Sequence, residues 1–487
     1  MEIKLKAGSR KPLYLQLRDE IKELVLSGEM AGGSKLPSTR ELARILHISR
    51  NTVEEAYRYL VDDGLLQVQR GKGTFVSESL FFEEREERES RIQWDEIVTP
   101  AVQRYTQYRE SIGRIQHGDR KVISFTSLAP DHHLFSVEAF RKCMNDVLSR
   151  EGGVLLNYGY TRGYEPLRKC VRSYLKSKGI RGEEQELLIV NGFRQGMELV
   201  TKTLVKEGDR ILCEAPTYNG AIGIFQSYGA EIAGIDMDDE GIRLDLLEEA
   251  IQAKRPVLIY TIPTYQNPTG MNMSLNRRRD LLELADRYGI PIVEDGFNEE
   301  LRYRGEAFPS LKAMDKKDLV IYIGSFSKIL FPGLRIGWVM APEAFMKYLV
   351  NSKYNEDIHT GILHQAGLYE FCSRGYFERH LRFSRRIYRE RLDAVLEALR
   401  KYMTGKAKWT EGTGGFSIWL EFPAHVRTRE WLQEAHEKGI LFVPGDVFYA
   451  DGRGGNFIRL GFSRVKPKQI MKGIRILSEI AEARLKG

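Results

Sequence analysis

The chain has 487 residues, of which 42% are hydrophobic and 29% are charged, and its formal net charge is +7. This composition suits a soluble globular protein, and the length predicts at least two domains. Neither a signal peptide nor a membrane span is expected, because Met1 to Lys11 is polar and no apolar stretch has spanning length. A reducing, cytoplasmic location without disulfides or a metal site is favoured, because the cysteines are scattered without metal-ligand spacing: Cys143, Cys170, Cys213 and Cys372.

The front of the chain predicts three helices followed by a two-stranded hairpin. Pro12 to Ser27 has apolar residues at helical spacing. Ser38 and Glu41 predict a capping box at the start of a second helix, and Ser49 predicts the cap of a third. Two short apolar strands then flank Gly71-Lys72-Gly73, so the hairpin has a basic tip.

This order of elements is that of a winged helix-turn-helix, and Leu36 to Val76 resembles the GntR family of bacterial DNA-binding regulators. The resemblance implies a DNA-binding domain over residues 1–77 that places its second motif helix in the major groove of promoter DNA. For any one contact residue the alternative is a solvated helix face. The DNA contacts implied by the resemblance come from the two motif helices and the wing: Arg40, Ser49, Arg50, Asn51, Thr52, Arg70, Gly71 and Lys72.

The rest of the chain predicts a linker and a large α/β domain. Residues 78–121 fit a linker, since their acidic and basic run has no apolar periodicity, although Trp94 to Tyr108 could be helical and pack on the large domain. Over residues 122–487, strands alternate with helices, which predicts a mostly parallel central sheet with helices on both faces. A smaller α+β lobe is expected from about residue 364.

One motif in this domain combines an amine with groups that bind phosphate. Lys328 follows Ser325 and Ser327 after an apolar strand, and Arg335 comes seven positions later. A lysine that holds an aldehyde cofactor as a Schiff base needs a phosphate site close by, and two hydroxyls with a guanidinium provide one. An isolated motif of this kind would more often be a polar turn, so the residues upstream of it decide the interpretation.

Those upstream residues are Asn267, in an Asn-Pro turn, and Asp295, which ends an apolar strand. Ligands bind at the carboxyl edge of a parallel sheet. A carboxylate suits a protonated pyridine nitrogen, and an amide suits a phenolic oxygen. In the order Asn, Asp, Lys, Arg, these residues resemble the fold-type I pyridoxal 5′-phosphate (PLP) enzymes of the aminotransferase group. The resemblance implies PLP as the cofactor, attached to Lys328.

Further site residues follow from the same resemblance. Phe193 and Arg194 lie in the family's first phosphate loop, and Tyr218 takes the place of the ring that stacks on the cofactor, with a buried core tyrosine as the alternative. Tyr158 matches the tyrosine that reaches the phosphate of a neighbouring subunit, which implies a homodimer. Arg459 matches the arginine that binds the α-carboxylate of an amino acid.

The sequence departs from the family at Phe297, where a tyrosine usually donates to the cofactor's ring oxygen. This argues against efficient transamination.

A GntR module joined to an aminotransferase-like domain resembles the MocR/GabR subfamily of PLP-binding transcriptional regulators, over nearly the whole chain. The subfamily implies a cytoplasmic, head-to-tail homodimer that binds promoter DNA and senses an amino acid or amine, or PLP itself. The alternative is a catalytically active aminotransferase with an accessory DNA-binding domain. The resemblance favours the regulator and leaves weak aminotransferase activity open.

Overall fold

The computed structural model describes residues 3, 5–6, 8–9, 11–78, 92–112, 122–182 and 186–486. The chain divides into two compact units, Met1–Ile97 and Val98–Gly487. Across the described ranges, no helix combines the length and the apolar character needed to cross a membrane.

The first unit is a small helical body with a hairpin. Leu17, Ile21 and Val25 recur every four residues on the first helix, and they are buried because this spacing places them on one helix face. They pack in a single core with apolar residues of the second and third helices and of the hairpin. The elements are α1 Leu13–Leu26, α2 Thr39–Leu46, α3 Arg50–Asp62, β1 Leu66–Gln69, β2 Gly73–Val76 and α4 Trp94–Ile97.

Side-chain caps set the starts of the two motif helices. Ser38 Oγ accepts a 3.2 Å hydrogen bond from the backbone N–H of Glu41, and Ser49 Oγ accepts one of 3.1 Å from that of Thr52. The predicted caps are therefore confirmed. β1 and β2 pair antiparallel, from Leu66 opposite Val76 to Gln69 opposite Gly73. This pairing forms the predicted wing hairpin.

The second unit has a large sheet and a smaller lobe. Its strands are β3 Ile123–Ser124, β4 Leu187–Val190, β5 Arg210–Ala215, β6 Glu231–Asp238, β7 Gly241–Ile242, β8 Leu258–Thr261, β9 Ile292–Asp295, β10 Val320–Ser325, β11 Gly337–Met340, β12 Lys408–Trp409, β13 Ser417–Glu421, β14 Ile440–Leu441, β15 Val443–Pro444 and β16 Phe457–Gly461. Its helices are α5 Pro100–Ile112, α6 Val137–Glu151, α7 Glu165–Ser177, α8 Phe193–Leu204, α9 Asn219–Ser227, α10 Leu244–Ala253, α11 Leu275–Tyr288, α12 Leu311–Met314, α13 Glu343–Asp357, α14 Ile362–Ser373, α15 Tyr376–Tyr402, α16 Leu432–Glu437 and α17 Pro467–Lys486.

The large sheet has the strand order β4, β11, β10, β9, β8, β5, β6, β7. Neighbours from β10 through β9, β8 and β5 to β6 run parallel, whereas β11 and β7 pair antiparallel. Helices α8, α9 and α13 cover one face, and α10 and α11 cover the other, so apolar strands are buried on both sides. The predicted, mostly parallel sheet is confirmed.

The smaller lobe joins distant parts of the chain. β12, β13, β16 and β15 form its sheet, and the long helix α15 packs against α17. β3 pairs parallel with β14, so Ile123 and Ser124 lie beside Ile440 and Leu441. This pairing places the segment from residue 123 to about 130 next to β16, which carries Arg459.

Candidate functional site

A cavity of about 350 Å³ lies at the carboxyl ends of β9 and β10, a size typical of cofactor sites. Its walls are Leu128, Ala129, Phe193, Arg194, Tyr218, Asn219, Asn267, Asp295, Phe297, Ser325, Ser327, Lys328, Pro332, Arg335 and Arg459. The fold thus brings together every predicted cofactor and effector residue except Tyr158. The lining contains four cationic side chains and one carboxylate, so the cavity favours anions.

Lys328 is held at the cavity by the short turn Phe326–Lys328, which follows β10 directly. Burial, and next the charge of Arg459, lower the pKa of its amine to about 8, while the Asp295 carboxylate acts in the opposite direction. A lysine with a lowered pKa has a larger neutral fraction near neutral pH, and only the neutral amine is a nucleophile. Because Lys328 also lines the cavity, it is the candidate reactive amine of the site.

Asp295 is 2% exposed and ends β9, as the sequence predicts. Its Oδ2 accepts a 2.9 Å hydrogen bond from Tyr260 Oη, and its Oδ1 accepts one of 3.1 Å from the backbone N–H of Phe297. Burial raises the pKa of this carboxyl well above its ordinary value, and the two hydrogen bonds oppose that rise. A cationic ring nitrogen in the cavity would stabilise the ionised form.

Tyr260 was missed by sequence reasoning. It is fully buried on β8, inside a run that looks like ordinary core, and no local motif marks it. Only the parallel pairing of β8 with β9, with Tyr260 opposite Val293, brings its hydroxyl to the neighbouring strand end.

Ser325, Ser327 and Arg335 form a corner of the cavity wall that suits an anion. Arg335 donates to the carbonyl oxygen of Asn191 at 3.0 Å and to Ser327 Oγ at 3.5 Å, while Ser325 Oγ accepts from the backbone N–H of Ser327. A Cβ at Gly192 would lie 2.8 Å from the Arg335 guanidinium, and Gly192 has φ +79°. Glycine is required there, because it alone permits this approach and this backbone conformation.

The start of α8 completes this corner. Gly192 precedes the helix, and Phe193 and Arg194 are its first two residues and line the cavity. The first backbone N–H groups of a helix have no intrahelical acceptor, so they attract an anion. Tyr218, which precedes α9, lies on the wall with its ring 6.2 Å from that of Phe193, edge to face. Tyr218 is partly buried and lines the cavity.

Arg459 is 7% exposed, and its contacts are with neutral groups. It donates to Asn267 Oδ1 at 3.2 Å and to the carbonyl oxygen of Thr126 at 2.7 Å, and it lies over the Phe448 ring at 5.0 Å. Its buried Nε has no hydrogen-bond partner, and no carboxylate in the described ranges pairs with it. Burial lowers its pKa to about 10. A buried cation without a counter-charge is costly, so this position favours an anionic ligand.

Neither Phe297 nor Tyr158 provides a hydroxyl group to the cavity. Phe297 presents only an apolar ring to it and is 7% exposed. Tyr158 is 80% exposed and lies outside it, with an edge contact to His359 at 6.1 Å. Its expected contact with a neighbouring subunit stays a prediction.

The predicted DNA contacts form an exposed surface of the first unit. Arg40, Arg50 and Asn51 are exposed at the starts of α2 and α3, and residues 70–72 are exposed at the hairpin tip. Ser49 Oγ also shares a 2.8 Å hydrogen bond with the Thr52 hydroxyl, and Arg50 pairs with Glu54 at 2.7 Å, where both Arg50 and Glu54 are solvent-exposed. These weak surface contacts can be exchanged for DNA phosphates or base edges.

The residues present fit PLP. The corner of Ser325, Ser327 and Arg335 would hold the phosphate, Asp295 would face the pyridine nitrogen and Lys328 the aldehyde. The buried Arg459 Nε has no hydrogen-bond partner among the described residues and would suit a carboxylate.

Comparisons with known proteins agree with both halves of the chain. Residues 120–477 match the family described as aminotransferase class I and II, and residues 13–76 match that described as bacterial regulatory proteins, gntR family. The uncharacterized HTH-type transcriptional regulator YisV of Bacillus subtilis is 32% identical and covers 96% of each chain. The probable rhizopine catabolism regulatory protein MocR of Rhizobium meliloti is 28% identical, over 96% of this chain and 93% of its own.

Among solved structures, LysN, the alpha-aminoadipate aminotransferase of Thermus thermophilus, superposes with a TM-score of 0.76. It is 33% identical and covers 81% of this chain and all of its own, and it was crystallised with N-(5′-phosphopyridoxyl)-L-leucine.

Proposed function

Because the chain belongs to the MocR/GabR subfamily, in which a gntR-family DNA-binding domain is joined to a PLP-dependent aminotransferase class I and II domain, we propose that it senses an amino acid or amine and adjusts its binding to promoter DNA. The sensing site is the cavity around Lys328. We further propose a cytoplasmic, head-to-tail homodimer in which Tyr158 contacts the cofactor phosphate of the neighbouring subunit.

The observation that carries this proposal is the buried guanidinium of Arg459, whose Nε has no hydrogen-bond partner and which no carboxylate of the described residues pairs with. PLP has one phosphate, and the Ser325, Ser327 and Arg335 corner suits it. Arg459 lies apart from that corner, beside Asn267, and keeps an unsatisfied Nε. A second anion is therefore expected in the cavity, and the α-carboxylate of an amino acid pairs with a guanidinium through two hydrogen bonds.

Several groups of this chain have separate roles in binding PLP. When bound, PLP supplies an aldehyde carbon that condenses with primary amines. Asp295 would accept a hydrogen bond from the protonated ring nitrogen, and Tyr260 Oη and the Phe297 N–H hold the carboxylate of Asp295 in place. Lys328 would supply the amine that holds the aldehyde. Ligand binding can alter DNA affinity only through different affinities of the two conformations for that ligand.

A second candidate function is catalysis of transamination. It is favoured by the complete set of Asn267, Asp295, Lys328, Arg335 and Arg459 around one cavity. Phe297 argues against it, because the wall position that usually carries a donating hydroxyl is apolar here.

Four measurements on the full-length protein separate these functions, three on the holo-protein and one on the apo-protein. Visible absorbance is titrated with L-amino acids, their D-isomers and simple amines, and promoter footprinting is repeated at saturating ligand. Sensing predicts a spectral change together with an altered footprint, and an unaltered footprint at spectral saturation would refute it. Sustained ketoacid production with 2-oxoglutarate would favour the enzyme. A full footprint response of the apo-protein to PLP alone would make PLP the sensed ligand.

A further inference from the structure

Helix α5 belongs to neither matched family. It spans Pro100–Ile112, between the gntR match that ends at residue 76 and the aminotransferase match that begins at residue 120. In the chain it precedes the sheet of the second unit, within which it packs along α9. A segment outside both families thus lies against a helix whose first residue lines the cofactor cavity.

Two tyrosines on one face of α5 make the contacts. Tyr105 and Tyr108 are three positions apart, which places both rings on the same side of a helix. The Arg194 guanidinium lies 5.0 Å from the centroid of the Tyr105 ring, and Tyr108 Oη donates a 2.6 Å hydrogen bond to the carbonyl oxygen of Asn219. Arg194 and Asn219 are both cavity-wall residues. The helix therefore touches the first turns of α8 and α9 from outside, while the cavity touches them from inside.

A glycine makes this contact possible. A Cβ at Gly223 of α9 would lie 2.6 Å from the Tyr108 ring and 3.2 Å from the Tyr105 ring, although the backbone there has no conformation that needs glycine. With any larger residue at this position, the Tyr108 ring would have to shift from its present contact with α9. A second anchor fixes the helix in place, because Arg104 pairs with Glu207 at 2.9 Å and donates to the carbonyl oxygen of Ser227.

The rings also lie close to the stacking residue of the site. Burial raises the pKa of Tyr108, and the neighbouring Tyr218 adds to that rise. Tyr218 directly precedes Asn219, whose carbonyl group Tyr108 holds. The hydrogen bond of Tyr108 thus fixes the first turn of α9 and, with it, the backbone that carries the Tyr218 ring.

We propose that α5 is an outer wall of the cofactor site, in which Tyr105 positions Arg194 and Tyr108 positions the Tyr218–Asn219 turn, so that docking of this inter-domain helix and binding of PLP strengthen each other. Coupling of this kind is reciprocal: whatever docking adds to PLP affinity, PLP adds to docking. The inference deepens the proposed function and rests on it where it links the site to the segment that follows the DNA-binding domain. The positioning of Arg194 and of the Tyr218–Asn219 turn requires only that PLP binds in the cavity.

The test measures both sides of this linkage in the full-length protein. PLP affinity is obtained from visible absorbance, and docking of α5 from amide hydrogen exchange of residues 100–112 with and without PLP. Tyr105→Ala and Tyr108→Phe are each expected to weaken PLP about two- to fivefold, the size of one cation–π contact or one hydrogen bond. PLP is expected to slow exchange of α5 in the wild type and much less in the variants.

Gly223→Ala separates position from chemistry, since it keeps both tyrosine side chains in the sequence but adds a Cβ that would clash with their rings. It is expected to abolish the PLP-dependent protection of α5 and to weaken PLP at least as much as either tyrosine variant. Val102→Ala, at an exposed position of α5, and Gly153→Ala, at a glycine with open space around it, are the matched controls and should behave as wild type.

Wild-type exchange of α5 that ignores PLP, or unchanged PLP affinity in Tyr105→Ala and Gly223→Ala, would overturn the inference. A protein that passes this test but gives no footprint response to any amino acid or amine would instead refute the proposed sensing function and leave the role of α5 intact.

Discussion

Tyr260 Oη donates a 2.9 Å hydrogen bond to Asp295 Oδ2, and both side chains are almost completely buried. The two residues belong to neighbouring parallel strands, β8 and β9. A donor on this oxygen opposes the rise in pKa that burial imposes on the carboxyl, so the bond keeps Asp295 suited to a cationic partner.

Tyr260→Phe is expected to weaken PLP binding by about 1 kcal/mol, roughly fivefold, because it removes one hydrogen bond from a buried carboxylate. Equilibrium titration of the apo-protein by visible absorbance measures this. Tyr303→Phe is the matched control, since the Tyr303 hydroxyl donates to the carbonyl oxygen of Gly415 away from the cavity. Equal PLP affinities of the two variants would contradict a role for Tyr260.

Lys328→Ala is expected to abolish the visible absorbance band of the holo-protein while the fold is retained, because the amine is the group that condenses with PLP. Absorbance spectra and a circular-dichroism melt check the two halves of this expectation. Lys316→Ala, at an exposed lysine, should keep the band. An unaltered spectrum of the Lys328 variant would place the reactive amine elsewhere.

The rate at which the apo-protein acquires this band is expected to rise about tenfold between pH 7 and pH 9, with its half-maximum near pH 8, and to level off above about pH 9. The sign follows from the pKa of Lys328, which burial and Arg459 lower to about 8, because only the deprotonated amine attacks an aldehyde. Stopped-flow mixing with PLP measures the rate. Nα-acetyl-lysine, whose ε-amine is free and has an ordinary pKa, is the reference. A rate that keeps climbing to pH 10, as for the reference, would mean that the pKa is not lowered.

Arg459→Gln is expected to weaken binding of L-amino acids by about 2–3 kcal/mol, on the order of a hundredfold, because a charge-assisted pair with the α-carboxylate is lost. Binding of simple amines, which lack that carboxylate, should change little. Titration of the holo-protein with L-alanine and ethylamine makes the comparison. Arg475→Gln, at an exposed arginine of α17 that pairs with Glu479, is the control. Equal loss for both ligands in Arg459→Gln would contradict the assignment of Arg459 to the carboxylate.

Arg50→Ala is expected to weaken binding to a promoter fragment by about 1–3 kcal/mol if Arg50 reads a base edge at the start of α3. Its pairing with the exposed Glu54 gives little stability, so the free protein should be almost unaffected. Fluorescence anisotropy at fixed salt measures the affinity. Arg58→Ala, further along the same helix and also exposed, should have a much smaller effect.

Much of the fold followed from local patterns. The Ser38 and Ser49 caps, the alternation of strands with helices, and the strand that ends at Asp295 depend on neighbours in the chain, which the sequence displays directly. The pairing of Ile123 with Ile440 was not predictable in this way. It joins residues far apart in the chain, and no turn or spacing links the two short strands.

The same division holds for the site. The residue types near Lys328, together with the resemblance that they carry, were enough to indicate an amine, a phosphate corner and a carboxylate that share one cofactor, because each chemistry demands particular side chains. Only the tertiary structure placed Tyr260 on Asp295 and Tyr105 under Arg194, and buried the Arg459 guanidinium where no carboxylate of the described residues pairs with it. These relations depend on which strands and helices are neighbours in space and on what burial removes from water, and neither is encoded by any short stretch of sequence.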